Sequence, residues 1–312
     1  MSKISVIIPY FNRSSYLPYA VDSVFNQEGV DIEVIIVDDG STVPLETQRF
    51  STPSLADRRV RIIRQENCGP SKARNTALDA AVGEYVLLLD SDDYLEPGSL
   101  RKLSSALEEN KCHGAVGGWR DFNSSGTLHL KIPKPFYSDA LANCVKQDWI
   151  SGCVLLRSDE QCRFNTRRMP WEVTEFYLDY LQDTSRNVAY VPSLVIHARQ
   201  DATERLTTRH DHFEPAMGAR FWSEMKQKLE DCGQLTLERA SALDFKILAN
   251  VHTLLRARRV TEGRELAESV SWQRIENYPW YRFGSFAWFC KRGGVGFGGD
   301  LFFAMNRILC LV

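Results

Sequence analysis

Tyr85-Val-Leu-Leu-Leu-Asp-Ser-Asp-Asp93 decides how the first hundred residues are read. Five apolar residues in a row fit a strand buried on both faces, since a half-exposed strand would alternate. Three carboxylates then fall within four residues. The same pattern occurs twice upstream. Ser5-Val-Ile-Ile8 runs into Pro9-Tyr10-Phe11-Asn12, and Glu33-Val-Ile-Ile-Val37 runs into Asp38-Asp39-Gly40-Ser41. Val60-Arg-Ile-Ile63 is a further strand-like run. Between these lie helical spacings. Leu17, Ala20, Val21, Val24 and Phe25 share a face, with Pro18 in the first turn. Ala73, Ala77, Leu78 and Ala81 share another within 70–82, which Gly83 ends. Strands alternating with helices predict an α/β fold: a Rossmann-like, mostly parallel sheet with helices on both faces. Ligands of such sheets bind beyond the C-terminal strand ends. All three polar clusters fall there.

The chemistry of those clusters is acidic. Asp90, Asp92 and Asp93 are costly in a crevice unless positive charge offsets them. Oxygen-rich sets of this kind suit magnesium or manganese. As the strand ends, one carboxylate can reach a ribose and another a metal; a turn or helix cap would use the same residues. Asp38-Asp39-Gly40-Ser41 reads as an Asx-type turn, or as a carboxylate that accepts the imide N–H of a uracil. Arg74 lies in the first turns of the helix opened by Gly69-Pro70-Ser71, where anions are favoured.

The rest of the 312-residue chain is less regular. Strand-like pieces at 115–119, 154–157 and 188–198 surround a helix-like piece from Trp171 to Gln182. From about 216 the pattern is helical, with Phe221, Met225, Leu229, Leu243, Ile247, Val251 and Leu254 in register. The expected organisation is one domain over 1–215, with halves 1–110 and 111–215, and a helical extension over 216–312. Hydrophobic residues are 44%, charged residues 25% and net charge −2, which argues against nucleic-acid binding. Eight scattered cysteines show no C-x-x-C pair, as expected of free thiols in a reducing compartment. With no signal-peptide pattern and no apolar run of about 18 residues, the expected address is cytoplasmic.

Four blocks resemble those of family 2 glycosyltransferases of the GT-A fold. They are Ser5-Val-Ile-Ile-Pro-Tyr-Phe-Asn12, Val37-Asp-Asp-Gly-Ser41, Asn67-Cys-Gly-Pro-Ser-Lys-Ala-Arg-Asn75 and Leu88-Leu-Asp-Ser-Asp-Asp-Tyr94. The resemblance is tight over 3–100 and looser over 150–200. It implies a nucleotide-sugar donor, most often UDP-linked, a DxD-type site for a divalent metal (Mn or Mg), and inversion at the anomeric carbon. Pro9, Tyr10 and Asn12 would line the nucleotide, Asp39 would bind the base, and Arg74 would sit by the nucleotide or its phosphates. Asp90, beside Ser91, would hold the ribose region, and Asp92 the metal. A glycan or lipid-linked acceptor in polysaccharide synthesis is implied by analogy.

The attacking hydroxyl needs a carboxylate base. Pro170-Trp-Glu-Val-Thr-Glu-Phe-Tyr-Leu-Asp-Tyr180 resembles the family's acceptor-side helix, which commonly carries adjacent Glu-Asp. Here Glu172 matches, but Val173 stands where the Asp is expected. Glu172 and Glu175, three apart on one helix face, are the candidates. His197, a candidate metal ligand with Asp90 and Asp92, and Arg199 end a strand and are placed to contact the diphosphate or metal. His210 and His212 are weaker candidates; Trp119, Asp121 and Gly152 are candidates for the sugar. Gly294-Val-Gly-Phe-Gly-Gly299 satisfies a dinucleotide fingerprint but follows no strand and is set aside. Trp272, Trp280 and Trp288, with Arg282, Lys291, Arg292 and Arg307 nearby, fit either a packed helical appendage or a peripheral membrane contact at the inner face. Two other functions compete: nucleotide-sugar binding without turnover, which Val173 favours, and a sugar nucleotidyltransferase, which the glycine-free loop after the first strand disfavours.

Overall fold

The computed structural model describes residues 2–48, 52–167, 170–201, 214–267 and 270. The chain divides into two compact units, Met1–Arg205 and Leu206–Val312.

The first unit is built on a nine-stranded sheet. Its parallel part comprises β1 (Lys3–Tyr10), β2 (Asp31–Asp39), β3 (Val60–Gln65) and β4 (Tyr85–Leu88), in the order β3-β2-β1-β4. Helix α1 (Leu17–Phe25) connects β1 to β2, and α2 (Pro70–Ala80) connects β3 to β4. Ile4, Val6, Ile7, Ile8, Val34, Ile35, Ile36, Val37 and Leu87 have no exposed surface, as strands covered on both faces require. Pairing sets Pro9 beside Val37 and Ile7 beside Leu88, so the ends of β1, β2 and β4 form one rim.

The remaining strands add mixed pairing to the parallel half. β8 (Val154–Arg157) runs antiparallel to both β4 and β6 (Gly114–Asn123), and β9 (Val188–Arg199) runs parallel to β6. Two-residue β5 (Tyr94–Leu95) pairs with β9 through Tyr94 and His197. That short pairing pins residues 90–93 against the end of β9. β7 (Gly126–Lys131) forms a hairpin with β6 and is exposed throughout. Helices α3 (Ser99–Glu109), α4 (Ala140–Gln147) and α5 (Glu172–Leu181) complete the unit. Gly40 makes the turn after β2 at φ +75°, and a β-carbon there would lie 2.7 Å from the Asn67 amide nitrogen. Only glycine allows both the backbone conformation and the approach.

The second unit contains α6 (Pro215–Asp231), α7 (Leu237–Arg256) and α8 (Val260–Ala267). Phe221, Met225 and Leu229 of α6 and Leu243, Ile247, Val251 and Leu254 of α7 are buried. Lys226 reaches Asp244 at 2.6 Å, a buried ion pair tying α6 to α7. No helix among the described residues is long and apolar enough to cross a membrane. His210, His212, the 294–299 glycines and the aromatic segment from Trp272 onward lie outside the described residues.

Candidate active site

The rim opens with two adjacent aspartates that do different work. Asp38 is 1% exposed. It accepts the Ser41 and Leu45 amides, each at 2.9 Å, and an Arg64 guanidinium N–H at 2.5 Å. Burial would raise its pKa, but the bonds from Ser41, Leu45 and Arg64 outweigh that and hold it below the ordinary 3.8. A group depressed in the folded state contributes stability above its unfolded pKa and loses it as pH falls through the folded value. Asp38→Asn is therefore expected to cost about 1.5–3 kcal/mol at neutral pH. The gap to the parent should close as pH falls below 3.8, read as converging urea midpoints.

Asp39 turns the other way. Its Oδ1 accepts from Gln65 Nε2 at 2.7 Å and the Cys68 amide at 2.9 Å, and its Oδ2 accepts the Gly69 amide at 2.8 Å. The carboxylate thus ties the end of β2 to the start of α2. A carboxylate offers about four acceptor positions, so Oδ2 retains capacity for one further donor. Above it, Asn12 holds the two loops together. Its amide donates to Ser41 Oγ at 3.0 Å, and its side-chain oxygen accepts the Thr42 amide at 2.9 Å. Tyr10 is 1% exposed, and its hydroxyl accepts from Gln48 at 3.2 Å. Pro9 lies in β1 beside Val37.

The acidic segment forms a turn, closed by the Asp93 amide donating to the Asp90 carbonyl at 3.1 Å. Each carboxylate meets a different partner. Asp90 pairs with Arg74 Nη2 at 2.8 Å, and Asp92 pairs with Arg13 Nη1 at 2.8 Å. Asp93 accepts the Arg199 backbone amide at 2.8 Å. Ser91 is 3% exposed. The positive charge that such a cluster demands thus comes from Arg13 and Arg74. Arg13 was not legible beforehand, because nothing in its loop distinguishes it from a solvated arginine.

Arg74 also reaches Glu172 Oε1 through Nη1, at 3.3 Å. Burial would lower the Arg74 pKa, but Asp90 and then Glu172 raise it above the ordinary value. Glu172 begins α5, and its side chain is 15% exposed. Glu175 is 4% exposed and accepts from Asn165 Nδ2 at 3.3 Å. Trp171, just before Glu172, adopts φ +71°, uncommon for a bulky residue.

His197 is engaged elsewhere. Its Nε2 is 2.5 Å from Glu96 Oε2, and its ring stacks on Tyr94 at 4.4 Å. The Arg199 guanidinium lies 4.7 Å from the Phe122 ring. Trp119 is 2% exposed, and Asp121 accepts from Gln200 at 3.1 Å. Gly152 sits at φ +80° where a β-carbon would fall 1.8 Å from Ile196 Cδ1, a packing reason for the glycine.

No cluster of three or more His, Cys, Asp or Glu poised around a metal occurs among the described residues. Asp90 and Asp92 supply oxygen atoms of the type that magnesium takes alongside phosphate and water. Ser71 Oγ and Arg74 Nε, both on α2, are buried with no hydrogen-bond partner among the described residues. Such groups suit a polar ligand, since an unmet buried donor is costly.

Residues 5–154 match the family model described as Glycosyl transferase family 2. This stretch is similar to family 2 glycosyltransferases. All three rim clusters and Arg74 lie inside it, while Glu172 and His197 lie beyond it. The chain is 39% identical over 131 residues to glycosyltransferase GlyA of Streptococcus pneumoniae serotype 4, a match covering 42% of this chain and 19% of GlyA. This chain spans less than half the length of that relative and others like it. Among solved structures, TarS 1-349 of S. aureus in complex with UDP-GlcNAc aligns with a TM-score of 0.65 and 16% identity, covering 86% of this chain and 91% of that one. Mannosyltransferase PcManGT of Pyrobaculum calidifontis, in complex with GDP-Man and Mn2+, aligns with a TM-score of 0.51 and 17% identity, covering 94% and 86%. The first unit therefore has the GT-A fold.

Proposed function

We propose that this chain transfers a sugar from a UDP-linked donor to an acceptor hydroxyl on a glycan or lipid-linked glycan, with inversion at the anomeric carbon. The observation that carries the reading is Arg74, which touches a donor-side carboxylate, Asp90, and an acceptor-side carboxylate, Glu172, at once. Two carboxylates sharing one guanidinium stand close together, as transfer between two bound substrates requires. The UDP-GlcNAc bound to TarS and the GDP-Man and Mn2+ bound to PcManGT support a nucleotide-sugar donor and a divalent cation.

In this reading the free acceptor position on Asp39 Oδ2 takes the uracil imide N–H. Asp90 faces the ribose, and Asp92 holds manganese or magnesium. The bound cation supplies charge neutralisation for the departing diphosphate. Glu172 accepts the proton of the acceptor hydroxyl as its oxygen bonds to the anomeric carbon, while the bond from that carbon to the phosphate oxygen breaks. Glu172 is preferred to Glu175 because its side chain reaches the crevice surface while Glu175 is 4% exposed.

Melting the protein with a panel of nucleotide sugars in manganese tests the reading. A ligand at 100 times its dissociation constant adds about 2.7 kcal/mol of apparent stability. UDP-sugars are expected to raise the melting temperature with manganese present and much less with EDTA. Equal shifts in both conditions would exclude the cation, and no shift with any nucleotide sugar would exclude the donor class.

A further inference from the structure

All six residues of β7 are exposed, although a strand on a packed domain ordinarily buries one face. Leu128 is 46% exposed and Leu130 54%; Phe136, beyond the strand, is 60% exposed. Leu128 and Leu130 share one face by the two-residue repeat, and His129 and Lys131 share the other. The Lys131 ammonium stands 5.3 Å from the Trp119 ring, and the residue remains exposed. The segment that follows is fastened to α4 through its backbone. Gln147 accepts the Lys134 amide at 2.8 Å and donates to the Lys134 carbonyl at 2.9 Å, and Asn143 Oδ1 accepts the Phe136 amide at 2.8 Å. Lys134 and Phe136 are thus held in place while both stay exposed. No Asp or Glu occurs from Phe122 to Ser138, in a chain whose net charge is −2. Asp201, which accepts the Ser124 amide at 2.7 Å, is itself paired with Arg199 at 3.7 Å.

We propose that β7 and the segment running on to Phe136 form a docking strip for an anionic lipid surface. Leu128, Leu130 and Phe136 enter the headgroup layer, while Lys131 and Lys134 stay at its surface and face lipid phosphates. A single exposed leucine needs no explanation. Three apolar side chains bared within 128–136, interleaved with lysines and free of acid, have the composition of an interfacial segment. The strip is shorter than the roughly 20–30 residues a side that a stable protein interface uses. A lipid surface asks for no complementary shape, only apolar tips and positive charge. Docking of this kind brings the first unit to the surface on which a lipid-linked acceptor is presented. The inference goes beyond the transferase reading and does not depend on it.

The test is co-sedimentation of the full chain with vesicles of equal parts phosphatidylglycerol and phosphatidylcholine, and with phosphatidylcholine alone. Binding is expected only to the anionic vesicles, and it should weaken as salt rises. A lysine near an anionic surface contributes about fivefold in partitioning, so Lys131→Gln combined with Lys134→Gln should lower binding by about 20-fold. Leu128→Ser combined with Leu130→Ser should lower it by about tenfold, through the loss of two partly inserted side chains. All four positions are exposed, and an unchanged melting temperature checks that both variants fold. Lys102→Gln combined with Lys111→Gln removes the same charge from exposed lysines elsewhere in the first unit and should change binding little. Parent protein left in the supernatant with anionic vesicles, strip variants that sediment like the parent, or an equal loss in the Lys102 and Lys111 pair would overturn the proposal. So would a dimer, seen by light scattering, that Leu128→Ser with Leu130→Ser dissociates while no lipid is bound; the strip would then belong to a second copy of the chain.

Discussion

Glu172→Gln is expected to reduce sugar transfer by roughly 10²–10⁴-fold, the usual contribution of a positioned general base. Glutamine keeps the size of the side chain and an oxygen that can face Arg74, so folding and donor binding should persist. Only the ability to take a proton is lost. The loss should appear in kcat at saturating donor and acceptor, with UDP affinity by calorimetry near the parent value. Position 173, where the resemblance implies the acid, is Val173 here, so the base is assigned to its neighbour Glu172. Should Glu175→Gln give the large loss and Glu172→Gln a small one, the base moves one turn along α5 and the role of Arg74 changes with it.

Asp92→Asn is the second large effect. Neutralising a carboxylate that holds the cation removes charge stabilisation of the leaving diphosphate worth several kcal/mol, on the order of 10³-fold in rate. Asp92 lies 2.8 Å from Arg13, so positive charge stands beside it. The variant should lose the manganese-dependent part of UDP binding and retain the part that EDTA leaves untouched. If manganese still strengthens UDP binding to the variant by the parental factor, Asp92 is not a ligand.

Much of the fold was legible because buried parallel strands leave a coarse signature. Val6–Ile8, Val34–Val37 and Tyr85–Leu89 are apolar runs that no half-exposed strand would show, and the polar residues ending them fall on one rim. β5 was not legible, since Tyr94 and Leu95 have no periodicity; they form a strand only because β9 offers its edge. α3, α4 and the exposed β7 were likewise missed. Within the site, residue types at strand ends were readable, but partners were not. Asp38 and Asp39 are adjacent and chemically identical, yet one closes a turn and the other ties down α2. Arg74 stood out as a cation near a helix start, a position suggesting phosphate. Its two carboxylate partners lie 16 and 98 residues away, a separation that only the folded chain reveals.

In the proposed reading the 90–93 turn, Asp39 and Glu172 enclose one chamber for a metal-bound nucleotide. A crystal structure of this chain with UDP and manganese measures it most directly. Uracil is expected against Asp39, a cation about 2.1 Å from an Asp92 oxygen, and the diphosphate ending within reach of Glu172. UDP bound away from this rim, or a cation ligated without residues 90–93, would contradict it.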